Sequence, residues 1–320
     1  MKKEICLILK ITYRCNDECS FCIAYEQRGA HIPDLSFADI KKNFEFFSKK
    51  FNISRVNISG GEPTLHSEFF DILKYLKKKG PIVVNLVTNA IIFENKKFLR
   101  DMILSFPDAS ANEDNSVAFS FNDYPPASRQ RRDIVKKRIR GIINLMKSEL
   151  PLECVITISK NNCGFLSEIT RHLIDFKNKH NSNLRGVEFR MLYIKFTSDL
   201  LLEETLPDSF DEIKLSIEKA IEYLKQNGTR YYFWNLPLCY LDNPVSRKNI
   251  WVKEFIKGKM MMPEVLIDAE HQYGDFIPID FQKYLKGHSE CGKCSLKDYC
   301  GGIDSAYLDL HNYPDLKTIN

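Results

Sequence analysis

The chain has 320 residues with a formal net charge of +4, 44% hydrophobic and 28% charged. That balance suits a globular protein of one large or two modest domains, and the mild charge argues for no particular partner. No apolar run approaches the ~20 residues of a membrane span, and Met1-Lys-Lys-Glu4 leads straight into a strand without a signal segment, so the expected location is the cytoplasm. Ten cysteines, clustered rather than spread, suit metal binding in a reducing compartment better than disulfides.

Ile5 to Thr12 is β-branched and too short for a helix, hence a first strand. Directly after it stand Cys15, Cys19 and Cys22 in a C-x3-C-x2-C spacing. Three thiols so close together suit a loop wrapping one corner of an iron–sulfur cubane, with one iron left open. A zinc knuckle or unrelated thiols fit the spacing less well. Asp34 to Lys50 carries Leu35, Phe37, Ile40, Phe44 and Phe47 at helical spacing, with Ser36 placed to cap. Ser54 to Ile58 is a second strand, running into Ser59-Gly-Gly-Glu-Pro-Thr64, and a helix from about Ser67 to Lys79 stops at Gly80-Pro81. Further strands are expected at Ile82–Val87, Val117–Phe121, Glu153–Ile158 and Gly186–Met191, with helices over Ser128–Leu150 and Phe165–Lys179. Strand–helix alternation repeated six times predicts a right-handed parallel sheet, with site loops at the strands' C-terminal ends. Leu200 to Pro207 reads as a linker and Ser209 to Asn227 as an amphipathic helix. From Thr229 the alternation stops, and a small Cys-, Pro- and aromatic-rich second domain is expected.

Cys15, Cys19 and Cys22, with Phe21 before the last, resemble the signature of the radical S-adenosylmethionine (SAM) enzymes. Gly60-Gly61-Glu62-Pro63, on the next βα unit, resembles that family's second motif. The resemblance implies an α/β fold, a partial (β/α)6 TIM-like barrel over 1–200, whose open iron chelates SAM. It implies further that Gly60, Gly61, Glu62 and Pro63 hold the methionyl amino group, chiefly through backbone carbonyls. Thr88 and Asn89 look like the family's T-N-G position, with Ala90 where Gly is usual. Ser120 and Asn122 fall where the family touches the ribose and carboxylate of SAM, although Asn122 also suits turn chemistry. Ser159 and Asn161 occupy a similar ribose-facing place. Arg190 is matched to the SAM carboxylate, with an internal Glu188–Arg190 ion pair as the simpler alternative.

The tail holds Cys291, Cys294 and Cys300 as C-x2-C-x5-C, with Cys239 upstream. On chemistry alone four thiols favour zinc. The pattern is, however, similar to the SPASM and Twitch extensions of radical SAM proteins. That likeness implies one auxiliary 4Fe-4S cluster on these four cysteines within 229–320, following a 201–228 linker and helix. A closed cluster of that kind suits an electron relay. Cys163, at the turn after the fifth strand, is a candidate hydrogen-donating thiol as in radical peptide epimerases, whereas Cys6 and Cys154 read as core. The histidines show no ligand spacing.

The basic residues from Arg129 to Arg140 lie on a helix with an apolar stripe. They read first as its solvated face and second as a contact for RNA phosphates or an acidic peptide. Tyr231-Tyr-Phe-Trp234 and Trp251 suit domain packing before a substrate channel. Together these features predict an enzyme with two 4Fe-4S clusters and SAM, reduced by a flavodoxin or ferredoxin. It would abstract hydrogen from a peptide, leading to a crosslink, an epimerisation or an oxidation. A tRNA or small-metabolite substrate is the alternative within the same chemistry. A zinc-stabilised nucleic-acid-binding protein is the alternative outside it.

Overall fold

The computed structural model describes residues 2–22, 24–107, 114–122, 129–191, 205–207, 210–234, 236, 264–270, 285–286, 293–294 and 303–304. Eight strands form one parallel sheet: β1 (Glu4–Thr12), β2 (Asn52–Gly60), β3 (Val83–Thr88), β4 (Ser116–Ser120), β5 (Leu152–Ile158), β6 (Leu184–Met191), β7 (Arg230–Trp234) and β8 (Glu264–Ile267). Their order is β7-β6-β5-β4-β3-β2-β1-β8, so neighbours in sequence are neighbours in space until the last strand, which returns to the edge of β1. The first six strands and the α/β class are as the sequence predicts. The sheet then goes beyond the expected six units. The aromatic run Arg230–Trp234 pairs with β6, and Cys6 to Leu9 pair with Glu264 to Ile267. Both added strands come from the segment in which no alternation was visible. A separate antiparallel pair joins Leu285–Lys286 to Ile303–Asp304.

The helices are α1 (Tyr25–Gly29), α2 (Phe37–Lys50), α3 (Phe69–Lys77), α4 (Lys96–Ser105), α5 (Arg129–Met146), α6 (Leu166–His180) and α7 (Phe210–Gln226). Ser36 caps α2 as expected, its side chain accepting from the Asp39 amide. The α4 helix has no counterpart in the sequence reading. It starts at Asn95, whose side chain accepts from the amides of Lys97 and Phe98, an N-cap that satisfies two otherwise orphaned donors.

The sheet has two unlike faces. Ile5, Leu7, Leu9 and Ile11 of β1, with Val56 and Ile58 of β2 and Val84 and Leu86 of β3, are buried in the apolar core. Successive residues of a strand point to opposite faces. The other face therefore receives Lys10, Arg55, Asn57, Asn85, Glu153, Glu188 and Arg190. Parallel sheets are ordinarily apolar on both faces. A polar inner face is what a barrel needs if it is to hold a charged ligand.

Aromatic packing accounts for β7, where Phe233 stacks on Phe189 with ring centroids 5.9 Å apart and Tyr231 and Phe233 are buried. Trp251 and Met260 to Met262 lie outside the described residues. No described helix is long and apolar enough to cross a membrane.

Candidate active site

The two motifs at the ends of β1 and β2 are laced together through their backbones. The Gly61 amide donates to the Thr12 carbonyl at 2.7 Å, and the Glu62 amide to the Arg14 carbonyl at 2.8 Å. This lacing requires the paired glycines. A Cβ on Gly60, whose φ is +134°, would sit 2.1 Å from the Thr12 carbonyl oxygen, and one on Gly61 would sit 2.4 Å from that of Arg14. The cysteine loop is thereby delivered beside the Gly-Gly-Glu-Pro turn.

Glu62 lies at the centre and is fully buried. One carboxylate oxygen accepts from the Thr64 amide, the Thr64 hydroxyl and the Thr88 hydroxyl, and the other from the Asn89 amide at 2.7 Å. Burial pushes its carboxyl above the usual range, against those donors. Its side chain is thus spent on joining β2 to β3, and what the loop offers a ligand is main chain.

Through Glu62 the end of β3 is fixed, and Asn89 reaches the first cysteine. The Asn89 side-chain Nδ2 lies 3.8 Å from Cys15 Sγ and donates to Asn16 Oδ1 at 2.7 Å. Ala90 adopts a left-handed φ of 64°, the conformation for which glycine would be usual, so the alanine departs in residue type and keeps the backbone shape.

Cys15, Cys19 and Cys22 are thiols outside any disulfide, each half-buried. Arg28 of α1 lies near enough to Cys15, Cys19 and Cys22 to feel their charge. Burial pushes the Cys15 thiol up to about 11, against a hydrogen bond from the Asp17 backbone. Iron would therefore have to displace a proton there. Among the described residues no three His, Cys, Asp or Glu side chains gather tightly enough for a single ion. A cubane does not ask for that, since each thiolate binds a separate iron. Three soft donors, a cation beside them and a donor to Cys15 fit such a cluster.

Two groups near these thiols carry no signal in the motifs. Asp17, inside the loop, is buried against Arg138 of α5, and Cys19 Sγ lies 3.2 Å from Asp17 Oδ2. The expectation that the basic residues of α5 form a solvated face holds for Arg132, Lys136, Lys137 and Arg140, which are exposed. It fails for Arg138, which is 2% exposed. Val135, Arg138, Ile142 and Leu145 share the inward stripe, so helical periodicity alone could have flagged an arginine on the wrong side. The second group is Tyr13, whose hydroxyl donates to Asp268 at 2.6 Å, just beyond β8. Burial and that bond push the phenol up. Lys10, beside Asp268 and Cys22, is pushed down by burial.

Other candidate residues divide. Ser120 is half-buried at the end of β4. The Asn122 side chain accepts from the Thr157 amide at 2.7 Å, which ties β4 to β5 and matches the turn-chemistry alternative. Ser159 is buried and its amide donates to Asn162, while Asn161 is exposed. The neighbour Asn162 is the residue turned inward, donating to the carbonyls of Asn122 and Thr157. Arg190 meets Glu188 at 2.7 Å, the internal ion pair. Cys163, the candidate hydrogen-donating thiol, follows β5 in a short turn. It is 2% exposed within the apolar core, and its thiol donates to the Lys160 carbonyl. Cys6 and Cys154 are buried as expected, and His66 is a satisfied core residue held by the Leu35 carbonyl and the Glu68 amide. Cys294 is half-buried, whereas Cys239, Cys291 and Cys300 lie outside the described residues.

Residues 9–159 match the model of the radical SAM superfamily. The chain is similar to the 7,8-dihydro-6-hydroxymethylpterin dimethyltransferase of Methanocaldococcus jannaschii, 30% identical over 95 residues, which are 29% of this chain and 19% of that protein. It is also similar to the PqqA peptide cyclase of Bradyrhizobium diazoefficiens, 22% identical over 288 residues, 89% of this chain and 71% of the relative. The chain thus spans about a fifth of the first relative's length and most of the second's. In fold it resembles Streptococcus suis SuiB bound to S-adenosylmethionine, with a TM-score of 0.61 at 14% identity, covering 98% of this chain and 76% of that one. The matched segment, 9–159, holds both the cysteine trio and the Gly-Gly-Glu-Pro turn, joined at the mouth of the parallel sheet, and is a radical SAM domain.

Proposed function

We propose that this protein cleaves SAM reductively and abstracts a hydrogen atom from a C–H bond of a peptide substrate. The observation that carries the reading is the chain of bonds across the ends of β1, β2 and β3, from Gly61 to Thr12, from Glu62 to Arg14 and Asn89, and from the Asn89 side chain to Cys15. Cys15, Cys19 and Cys22 would hold a 4Fe-4S cluster, which when bound supplies one electron to the sulfonium of SAM. Backbone carbonyls of Gly60 to Pro63 would orient the methionyl amino group, and Ser120 and Asn161 would meet the ribose. Asn122 and Ser159 would act on SAM through the turns they brace, and Arg190, paired with Glu188 on β6, would face the SAM carboxylate. A flavodoxin or ferredoxin would deliver the electron.

The peptide substrate is supported by similarity to a peptide cyclase over 89% of this chain, and by likeness of fold to SuiB, which has also been solved bound to its precursor peptide SuiA. The small-molecule alternative draws on the pterin enzyme, matched over 29% of the chain. Cys239, Cys291, Cys294 and Cys300 would hold an auxiliary 4Fe-4S cluster that takes or returns the electron of the substrate radical. Crosslinking, epimerisation and oxidation differ in that last step.

The test is anaerobic reconstitution. Brown protein with about eight irons per chain, releasing 5′-deoxyadenosine from SAM and dithionite, is expected; colourless protein holding zinc would refute the reading. Cys294→Ala should still cleave SAM while product formation stops. Product at the normal rate from that variant would remove the relay role alone.

A further inference from the structure

We propose that Arg138 is a positioning residue for the cysteine loop and, with Asp17, sets the electrostatic balance at the cluster the loop would hold. The inference rests on the reading of Cys15, Cys19 and Cys22 as cluster ligands. Arg138 leaves α5 on its buried stripe. Its guanidinium pairs with Asp17 and also donates through Nε to the Asn89 carbonyl at 3.2 Å. It therefore grips the cysteine loop with one edge and the turn after β3 with another, where Asn89 reaches towards Cys15. A planar fork suits two fixed acceptors in a way an ammonium group does not.

The helix is brought close enough to do this by Gly141. A Cβ at that position would stand 2.0 Å from the Ala90 carbonyl oxygen. Arg138 and Gly141, one turn apart on α5, thus act on adjacent residues of the same turn.

The second consequence is electrostatic. A cubane on three thiolates is anionic, and reduction adds a further negative charge. Asp17 Oδ2 lies 3.2 Å from Cys19 Sγ. An uncompensated carboxylate there would oppose both thiolate ligation and the incoming electron. Arg138, on the other side of the same carboxylate, offsets it within a region where solvent screens little. Net charge and hydrogen bonding around the sulfurs are among the protein's levers on cluster potential.

The experiment is an EPR-monitored redox titration of the SAM-responsive cluster in anaerobically reconstituted protein, with iron release to a chelator as a second readout. Arg138→Met should move the midpoint to more negative potential and speed iron loss by about 10- to 100-fold. Asp17→Asn, nearly isosteric, should move the midpoint the other way, and the double variant should return towards wild type. A residue that merely stabilised the fold would give no such ordering by charge. The proposal is overturned if the two single variants shift the potential in the same direction, or if neither moves it. Should Arg138→Met fail to fold, Asp17→Asn and the double variant decide, and an unmoved Asp17→Asn sinks the idea. Wild-type protein that takes up no cluster would overturn the ligand reading as well, so the two failures are told apart.

Discussion

Replacing Glu62 by glutamine tests whether the mouth is held by that side chain. The carboxylate takes three donors on one oxygen and the Asn89 amide on the other. Glutamine can keep its carbonyl oxygen towards the three, but its NH2 group then faces the Asn89 N–H across a space of 2.7 Å. The loss is one charge-assisted bond, roughly 1.5–3 kcal/mol, and one buried donor left without an acceptor, about 1–3 kcal/mol. Relief of the buried charge returns part of this, so a net cost of about 2 kcal/mol is expected at neutral pH. Burial raises the folded-state pKa of Glu62. Its contribution is therefore full below the unfolded value and lost as pH rises through the folded one. Glutamine does not titrate, so the difference between wild type and variant should narrow over that interval. Denaturant midpoints of the metal-free protein across pH measure both effects. A variant as stable as wild type, or a gap that widens with rising pH, would refute the reasoning.

Three further substitutions probe the same region. Gly141→Ala drives a methyl group into the Ala90 carbonyl at 2.0 Å, and should cost about 1–3 kcal/mol in thermal or denaturant unfolding. Ala90→Gly should stay within about 1 kcal/mol of wild type, since relief of the left-handed backbone is offset by added freedom of the unfolded chain and a lost buried methyl. Ala90→Val, β-branched at that φ, should be clearly less stable than either. Cys163→Ala should lower stability by about 1 kcal/mol and leave product and stereochemistry unchanged. A change of product from that variant would restore the thiol as a hydrogen donor.

The first six strands and most helices were legible because their periods are clean and their punctuation is strong, from the Ser36 cap to the Gly80-Pro81 stop. The cysteine trio and the glycine pair were legible because their spacing is local. What escaped depends on partners far away in sequence. β8 is four residues long and acquires its meaning only from pairing with β1. Arg138 sits among exposed lysines and arginines, and the charge run masked the stripe that buries it. Asn161 was placed by resemblance, and no sequence period tells that its neighbour Asn162 is the amide a tight turn swings inward. Glu62 was singled out by its motif. Its carboxylate, however, serves the protein's own donors, a distinction visible only once Thr64, Thr88 and Asn89 are seen around it.

The pairing of β8 with β1 also bears on how the chain is made. Tyr13 and Asp268 stand 255 residues apart in sequence, and one flank of the first strand is covered only after the ribosome has delivered residues near 267. At ~5–20 residues per second, that flank stays open for tens of seconds, a template for unwanted strand addition next to three cysteines. The same interval leaves the cysteine loop reachable by whatever inserts iron. Assembly of the metal centre during synthesis, before the last strand docks, would protect the nascent edge and the sulfurs together.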